Sequence, residues 1–152
     1  MAKTGPGDDD LEVLWYLTAP DGRHPWSPGG TRDADLSYLR QVAGAIDRLG
    51  FAGALPATGP HAVFVQAAAL RGPTERMRFL LAVHPPLLSP MLAAKMTATL
   101  DQFSRGRVLL NIVSGGDVLE QRRFGDWLDH DQRYARNGEF LHIVNSIWRR
   151  ES

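Results

Sequence analysis

The sequence predicts an α/β fold built from four consecutive strand–helix units with a parallel sheet. Four short apolar runs are each followed by a segment whose apolar residues recur at helical spacing. The predicted strands begin roughly 25 to 40 residues apart, which is the spacing of βα units. Two architectures fit this order: a small open sheet, or the first half of a (βα)8 barrel.

The four apolar runs differ in how strongly they predict a strand. All but the second are continuous blocks of large side chains. A continuous apolar block is typical of a strand that is covered on both faces. We therefore expect the first predicted strand to be covered on both faces. The predicted strands are residues 13–17, 53–56, 78–84 and 107–113.

Helix boundaries are marked by capping residues. The first helix begins after Asp33 or Asp35 and ends at Gly50, and an alanine-rich second helix covers residues 61–70. Ser89, followed by a proline at the first helical position, begins a third helix that ends at Gly106. Asp129 and Gln132 have the spacing of a capping box for the last helix. The residues between the fourth strand and Asp129 are predicted to be a polar connection.

Composition excludes several classes of function. The chain has 152 residues, of which 43% are hydrophobic, and its 17 basic residues balance 17 acidic ones. A globular domain fits these figures, and a neutral chain gives no electrostatic reason to expect nucleic-acid or membrane binding. The absence of cysteine excludes disulfides and thiolate zinc sites. Residues 1–12 form a polar, acidic tail unlike a signal peptide, so we expect a cytoplasmic protein.

Polar residues follow the third and fourth predicted strands. Because parallel strands end at one edge of the sheet, His84 and the segment Ser114–Asp117 are expected at the edge where α/β proteins bind ligands. The segment contains Gly115 and Gly116, so its backbone N–H groups could receive an anion, or it could be only a flexible turn.

The start of the last helix is a second candidate. His130 and Tyr134 are four residues apart and therefore share one face at a helix N-terminus, which attracts phosphate. The alternative is a packed tyrosine beside a solvated histidine. The histidines lack metal-ligand spacing, and the sequence shows no nucleophile–base pair and no paired carboxylates.

Ten short stretches occur in an order and spacing that resemble one family. They are residues 15–17, 45–53, 58–59, 89–90, 98–101, 104–107, 111–117, 124–126, 128–134 and 139–140. Through them the chain resembles the bacterial-luciferase-like flavin monooxygenases, and most closely the alkanesulfonate monooxygenases.

The resemblance implies a TIM barrel, of which residues 13–150 would be the N-terminal half. It implies a monooxygenase that uses O₂ and reduced FMN, supplied by a separate flavin reductase, to convert an alkanesulfonate to an aldehyde and sulfite. It also implies six flavin-contacting positions, whereas the spacing of the histidines predicts no metal site. These positions are Thr58, His84, Asn111, Ser114, His130 and Tyr134. Because a half-barrel has two unpaired edge strands, we further expect a homo-oligomer.

The chain departs from the sulfonate enzymes at one position. Those enzymes often carry a cysteine just after the Thr-Gly pair that corresponds to Thr58-Gly59, whereas this chain continues with Pro60. This departure leaves another luciferase-like flavin or deazaflavin oxidoreductase as one alternative. The other alternative is a non-catalytic half-barrel, because the family barrel is more than twice as long as this chain.

Overall fold

A computed structural model describes residues 11–17, 21–24, 27–32, 35–56 and 61–149. Four parallel strands pair in the order in which they occur along the chain. The strands are β1 (Leu14–Leu17), β2 (Gly53–Pro56), β3 (Arg78–Val83) and β4 (Val108–Ile112). The helices are α1 (Leu36–Arg48), α2 (Val63–Leu70), α3 (Pro90–Ser104), α4 (Val118–Arg123) and α5 (His130–Arg149), and Pro85–Leu87 forms a short 3-10 turn.

Three helices begin at capping residues that the sequence predicts. Asp35 accepts the Ser37 N–H at 2.7 Å, and Ser89 accepts the Leu92 N–H at 3.2 Å. The capping box of α5 is also confirmed, because the Asp129 and Gln132 side chains each accept the other residue's backbone N–H, at 2.9 and 3.1 Å. These bonds satisfy N–H groups that have no partner within the helix.

Two predictions about local structure are wrong. The stretch after β4 is not a simple polar connection, because it contains the six-residue helix α4. The first strand is not covered on both faces, since Trp15 is 47% exposed and Tyr16 is 60% exposed. β1 pairs only with β2 and therefore lies at an edge of the described sheet. Trp15 instead packs edge-on against Phe51, with ring centroids 5.4 Å apart.

Strand register divides the side chains between two faces of the sheet. Phe79, Leu81 and Val83 of β3 point to one face, where they join buried residues of α1, α2, α3 and α5 in the hydrophobic core. The alternate residues, Leu80 and Ala82, point to the other face and are not part of this core cluster. The hydrophobic core therefore lies between this face of the sheet and the helices.

A polar cluster holds the amino end of β3. The Asp47 carboxylate, at the end of α1, accepts the backbone N–H groups of Glu75 and Arg76 at 3.0 and 2.8 Å and also that of Met77. Burial acts to raise the pKa of Asp47, but these N–H groups outweigh it and hold the pKa below its ordinary value. On the other side, the Arg107 guanidinium donates to the Met77 carbonyl at 3.1 Å.

Replacement of Asp47 tests this cluster. We expect Asp47→Ala to lower the free energy of unfolding by about 1.5 to 3 kcal/mol, because it leaves backbone N–H groups without their charged acceptor. Urea denaturation followed by circular dichroism measures the change. The control is Glu75→Ala, which removes an exposed carboxylate but keeps the backbone N–H that donates to Asp47. Equal effects of the two substitutions would contradict the assigned role of Asp47.

The edge strands predict self-association. β1 and β4 each have one partner among the described strands, and β1 carries the exposed Tyr16. Unpaired strand edges template pairing with another chain. Sedimentation velocity of the 152-residue chain should therefore show species larger than one chain, whose proportion rises with concentration. A single cooperatively folding monomer over the whole concentration range would contradict this prediction.

Candidate functional site

The carboxyl ends of β3 and β4 lie side by side. Ala82 is paired with Asn111, and the Val113 N–H donates to the Val83 carbonyl at 2.9 Å, which continues the pairing beyond the strands. His84 follows β3 and Ser114 follows β4, so both residues lie at the same edge of the sheet, as predicted from the sequence. The register thus places an imidazole and a hydroxyl on adjacent strand ends.

The turn after β4 is shaped by glycine and by a buried amide. Gly115 has φ +79°, in the left-handed region that favours glycine. The Gln121 side chain, on α4, lies where a Cβ on Gly115 would be placed, so a larger residue there would displace it. Gln121 is 2% exposed, and its Nε2 has no hydrogen-bond partner among the described residues. Ser114 is half-buried beside this turn, and Asn111 is exposed.

Asp117 limits how the turn could bind an anion. Its carboxylate accepts the N–H groups of Leu119 and Glu120 at 2.7 and 3.0 Å and thereby caps α4. The N–H groups of Glu120 and Leu119 lower the pKa of Asp117. Two donors at the start of α4 are therefore already bound to a carboxylate of the chain itself. An anion at this turn would have to use the backbone of Ser114, Gly115 or Gly116.

His130 and Tyr134 contact each other at the start of α5, as their spacing predicts. Their ring centroids are 4.8 Å apart, and the planes are inclined by 41°. The His130 Nδ1 lies 3.0 Å from an Asp131 carboxylate oxygen, and both His130 and Tyr134 are exposed. The two rings form an accessible polar pair next to the first turn of a long helix.

A buried ion pair fixes the position of this helix start. Asp126 precedes α5, its side chain is 1% exposed, and it accepts two hydrogen bonds from the Arg136 guanidinium at 3.0 and 2.7 Å. The Arg136 guanidinium holds the pKa of Asp126 below its ordinary value. Arg133 adds a hydrogen bond to the Leu128 carbonyl at 2.7 Å. The chain between α4 and α5 is therefore held by charge-assisted bonds.

His84 lies in an apolar environment. Its residue is 3% exposed, and its ring packs at an angle of 65° against Phe124, with centroids 5.3 Å apart. Neither ring nitrogen has a hydrogen-bond partner among the described residues. Burial lowers the pKa of His84, and the nearby Glu120 only partly opposes this effect. Burial therefore favours the neutral form of the His84 ring.

Comparison with known proteins identifies the family. The sequence matches the family model described as luciferase-like monooxygenase over residues 13–152. The chain belongs to the luciferase-like monooxygenase family. The match includes β1 to β4 and all five helices, so the whole described site lies within the matched region.

Solved structures show that this luciferase-like chain matches part of a TIM barrel. A monooxygenase from Streptomyces bottropensis is 22% identical with a TM-score of 0.73, and the match covers 91% of this chain and 43% of that one. EDTA monooxygenase from Chelativorans sp. BNC1 is 22% identical with a TM-score of 0.75, and the match covers 91% of this chain and 38% of that one. The oxygenating constituent of 3,6-diketocamphane monooxygenase from Pseudomonas putida, solved in complex with FMN, is 21% identical with a TM-score of 0.72, covering 93% and 40%. The chain thus spans about two fifths of these structures, and the half-barrel is the alternative that the fold supports.

The structure brings together some of the predicted site residues of this luciferase-like chain. His84, Asn111 and Ser114 share the ends of two paired strands, and His130 contacts Tyr134. No hydrogen bond or ring contact joins these two groups among the described residues. The sixth position, Thr58, lies outside the described residues.

Sequence reasoning missed Gln121 and Phe124, because both depend on α4. The sequence does carry a signal for this helix. Asp117 and Glu120 have the spacing of a helix cap, and α4 is followed by Gly125, whose φ is +74°. The signal was weak because the helix has only six residues.

None of the described helices is long and apolar enough to cross a membrane.

The burial of His84 predicts a pH dependence of stability. The pKa of His84 is lower in the folded chain than in the unfolded chain, where it is about 6.5. As the pH falls through that value, the unfolded state takes up a proton first, so stability is lost until the pH reaches the folded-state pKa. When the pH is lowered from about 7.5 to about 5, we therefore expect the free energy of unfolding to fall less in His84→Leu than in the unsubstituted chain.

Urea denaturation at the two pH values measures this difference. The matched control is His142→Leu, which replaces an exposed histidine in the middle of α5. It should keep the pH dependence of the unsubstituted chain. If His84→Leu and His142→Leu lose equal stability on acidification, His84 is not the buried neutral group described above.

Proposed function

We propose that this chain forms the flavin-binding half of an FMN-dependent monooxygenase that desulfonates an alkanesulfonate. The family match over residues 13–152, which includes the polar carboxyl edge of the sheet, supports the monooxygenase part of the proposal. The choice of an alkanesulfonate rests on the resemblance of the ten sequence stretches alone. The reaction consumes O₂ and reduced FMN and yields an aldehyde and sulfite. A separate flavin reductase supplies the reduced FMN, and the enzyme works in the cytoplasm.

The residues at the carboxyl edge fit a flavin nucleotide. The exposed Asn111 amide both donates and accepts hydrogen bonds, as the edge of a flavin ring requires, and the Ser114 hydroxyl does the same beside it. His130 and Tyr134 add two accessible donors at a helix N-terminus, where phosphate is favoured. In this proposal these four residues and Thr58 bind FMN. His84 remains a predicted contact, although its ring is buried and packs against Phe124.

The protein's part in the reaction is to bind, orient and exclude water. Reduced FMN supplies the activation of O₂ when it is bound. The described groups that this proposal assigns to FMN are an amide, a hydroxyl, an imidazole and a phenol, which suit binding and positioning. A dry, shaped site around the flavin would protect the reaction from water.

One observation favours a different substrate within the same reaction class. The cysteine that the sulfonate enzymes often carry after Thr-Gly is absent here, where the chain reads Thr58-Gly59-Pro60. Neighbouring structures include an EDTA monooxygenase and a Baeyer–Villiger monooxygenase, so the fold accommodates unlike substrates. The second candidate is therefore oxygenation of another small organic molecule by the same flavin chemistry.

The reaction is tested in the protein that carries the complete barrel, together with a flavin reductase, NADH and FMN. We expect sulfite release from short alkanesulfonates, with an equal amount of O₂ consumed above the reductase background, because the polar edge binds reduced FMN next to the substrate. Sulfite is measured with a thiol-reactive dye, and O₂ with an electrode. The control omits FMN, which should abolish both signals.

Three outcomes separate the alternatives. Turnover of ketones, aldehydes or sulfones without any sulfonate turnover would contradict desulfonation and leave a monooxygenase. Tight FMN binding with no O₂ consumption beyond the reductase background, for any substrate, would contradict the monooxygenase. Failure to bind FMN would contradict the proposal as a whole and favour a non-catalytic half-barrel.

A further inference from the structure

The face of the sheet opposite the helices, here called the inner face, carries near its carboxyl end one polar side chain that the proposed function does not use. The helices and the hydrophobic core lie on the other face. Because the chain spans about two fifths of the TIM-barrel structures that it matches, its inner face is the one that faces the barrel interior. In such barrels the residues that bind and react come from the carboxyl ends of several strands.

Alternation along β1 places Tyr16 on the inner face. Leu17 is buried in the hydrophobic core, and Trp15 packs against Phe51, which itself lies against the core. Successive side chains of a strand point to opposite faces, so the residue between these two points to the inner face. The Tyr16 side chain is exposed there, and its hydroxyl has no hydrogen-bond partner among the described residues.

Tyr16 is one of four inner-face residues at the carboxyl ends of the strands. In each strand the next-to-last residue alternates with residues that face the helices, and these four residues are Tyr16, Leu55, Ala82 and Asn111. A phenol and an amide therefore lie on the two outer strands, with two apolar side chains between them. Neighbouring strands are about 4.8 Å apart, so β1 and β4 are separated by roughly 14 Å along the sheet.

The charged residue of the inner face lies at the other end of the strands and is already paired. Arg78, the first residue of β3, forms an ion pair with Glu12 at 2.6 Å, and its Nε donates to the Ala52 carbonyl at 3.1 Å. The inner-face residues next along the strands are leucines, at positions 14, 80 and 109. Within the four described strands, Tyr16 and Asn111 are thus the polar inner-face side chains that no printed bond already occupies.

The position of Tyr16 separates it from the described flavin contacts. Asn111 belongs to β4, and Ser114, His130 and Tyr134 all follow that strand, whereas Tyr16 lies on β1 at the opposite edge of the described sheet. A tyrosine hydroxyl that is enclosed in a protein interior usually has a hydrogen-bond partner, because leaving it unpaired costs free energy. A substrate that reacts beside the flavin lies over the same inner face and can supply that partner.

We propose that Tyr16 is a specificity-determining residue whose hydroxyl donates a hydrogen bond to an oxygen atom of the substrate. This inference rests on the proposed function, in which the acceptor is a sulfonate oxygen. The alkyl chain of the substrate lies against Leu55 and Ala82, the apolar residues between Tyr16 and Asn111. One phenol donates to one of the three sulfonate oxygens, so Tyr16 supplies part of the substrate binding and not the whole.

The test replaces each of the three tyrosines of this chain by phenylalanine in the protein that carries the complete barrel. Binding of pentanesulfonate is measured by calorimetry with reduced FMN under anaerobic conditions, so that no turnover occurs. Tyr16→Phe should raise the Kd of pentanesulfonate about 10- to 100-fold, as expected for a lost hydrogen bond to a charged group. It should leave the Kd of FMN unchanged.

The other two phenols are matched controls with different expected results. Tyr38 donates to the Asp21 carboxylate at 2.8 Å, away from the inner face, so Tyr38→Phe should leave both Kd values unchanged. Tyr134→Phe should raise the Kd of FMN. Chloropentane has the same alkyl chain and no oxygen, and it should bind equally well to Tyr16→Phe and to the unsubstituted protein.

Turnover gives a second readout. A hydrogen bond made equally to the bound substrate and to the transition state changes KM and not kcat. Tyr16→Phe should therefore raise the KM for pentanesulfonate and keep kcat. A second pair of variants decides if Tyr16→Phe does not fold: Tyr16→Gln keeps a side-chain donor and should bind pentanesulfonate more tightly than Tyr16→Met, which has a similar length and no donor.

Three results overturn the inference. They are unchanged sulfonate binding in Tyr16→Phe, an equal loss of chloropentane binding, and a loss of FMN binding like that of Tyr134→Phe. Failure of the proposed function looks different, because the unsubstituted protein then binds FMN but neither binds nor converts a sulfonate. The variants are in that case measured with cyclohexanone, whose carbonyl oxygen is the acceptor: a raised Kd in Tyr16→Phe supports the inference, and an unchanged Kd or no binding at all overturns it.

Discussion

The fold depends on the polar cluster at the amino end of β3, in which one carboxylate binds three consecutive backbone N–H groups. Asp47 accepts from Glu75, Arg76 and Met77, and so joins the end of α1 to the start of β3. Arg107 binds the Met77 carbonyl from the side of β4. Burial lowers the pKa of Arg107, and the negative charge of Asp47 opposes this effect. The amino end of an inner strand is thereby fixed to the end of α1 and to the start of β4.

That constraint determines what lies at the opposite edge. With its amino end held, β3 keeps five residues in register with β4, from Phe79 to Val83. The register then sets which residues leave the sheet together, namely His84 and Ser114. The ionic groups of the cluster are at the amino end. At the carboxyl end, the first residues to leave β3 and β4 are His84 and Ser114, and the nearby Asp117 carboxylate is already bound to the start of α4.

Local sequence signals predict the framework well and the site less well. β2 and α3 begin and end where the sequence predicts, because proline, glycine and serine caps act within a few residues. The contacts of His84 with Phe124, and of Gly115 with Gln121, join residues that are distant along the chain or that depend on the short helix α4. Periodicity carries no information about such contacts. The exposure of β1 was missed for the same reason, since an apolar run does not reveal which strand lies at an edge.

Hydrogen exchange with and without FMN, followed by mass spectrometry in the protein that carries the complete barrel, tests the central claim most directly. The claim is that the carboxyl edge of the sheet, and not the cluster at the amino edge, receives the flavin. It predicts slower exchange on FMN addition in peptides covering residues 108–117 and 128–137, and no change in residues 44–50 and 71–78. Protection confined to the latter two segments, or an exchange pattern that FMN leaves unchanged at saturation, would contradict the account.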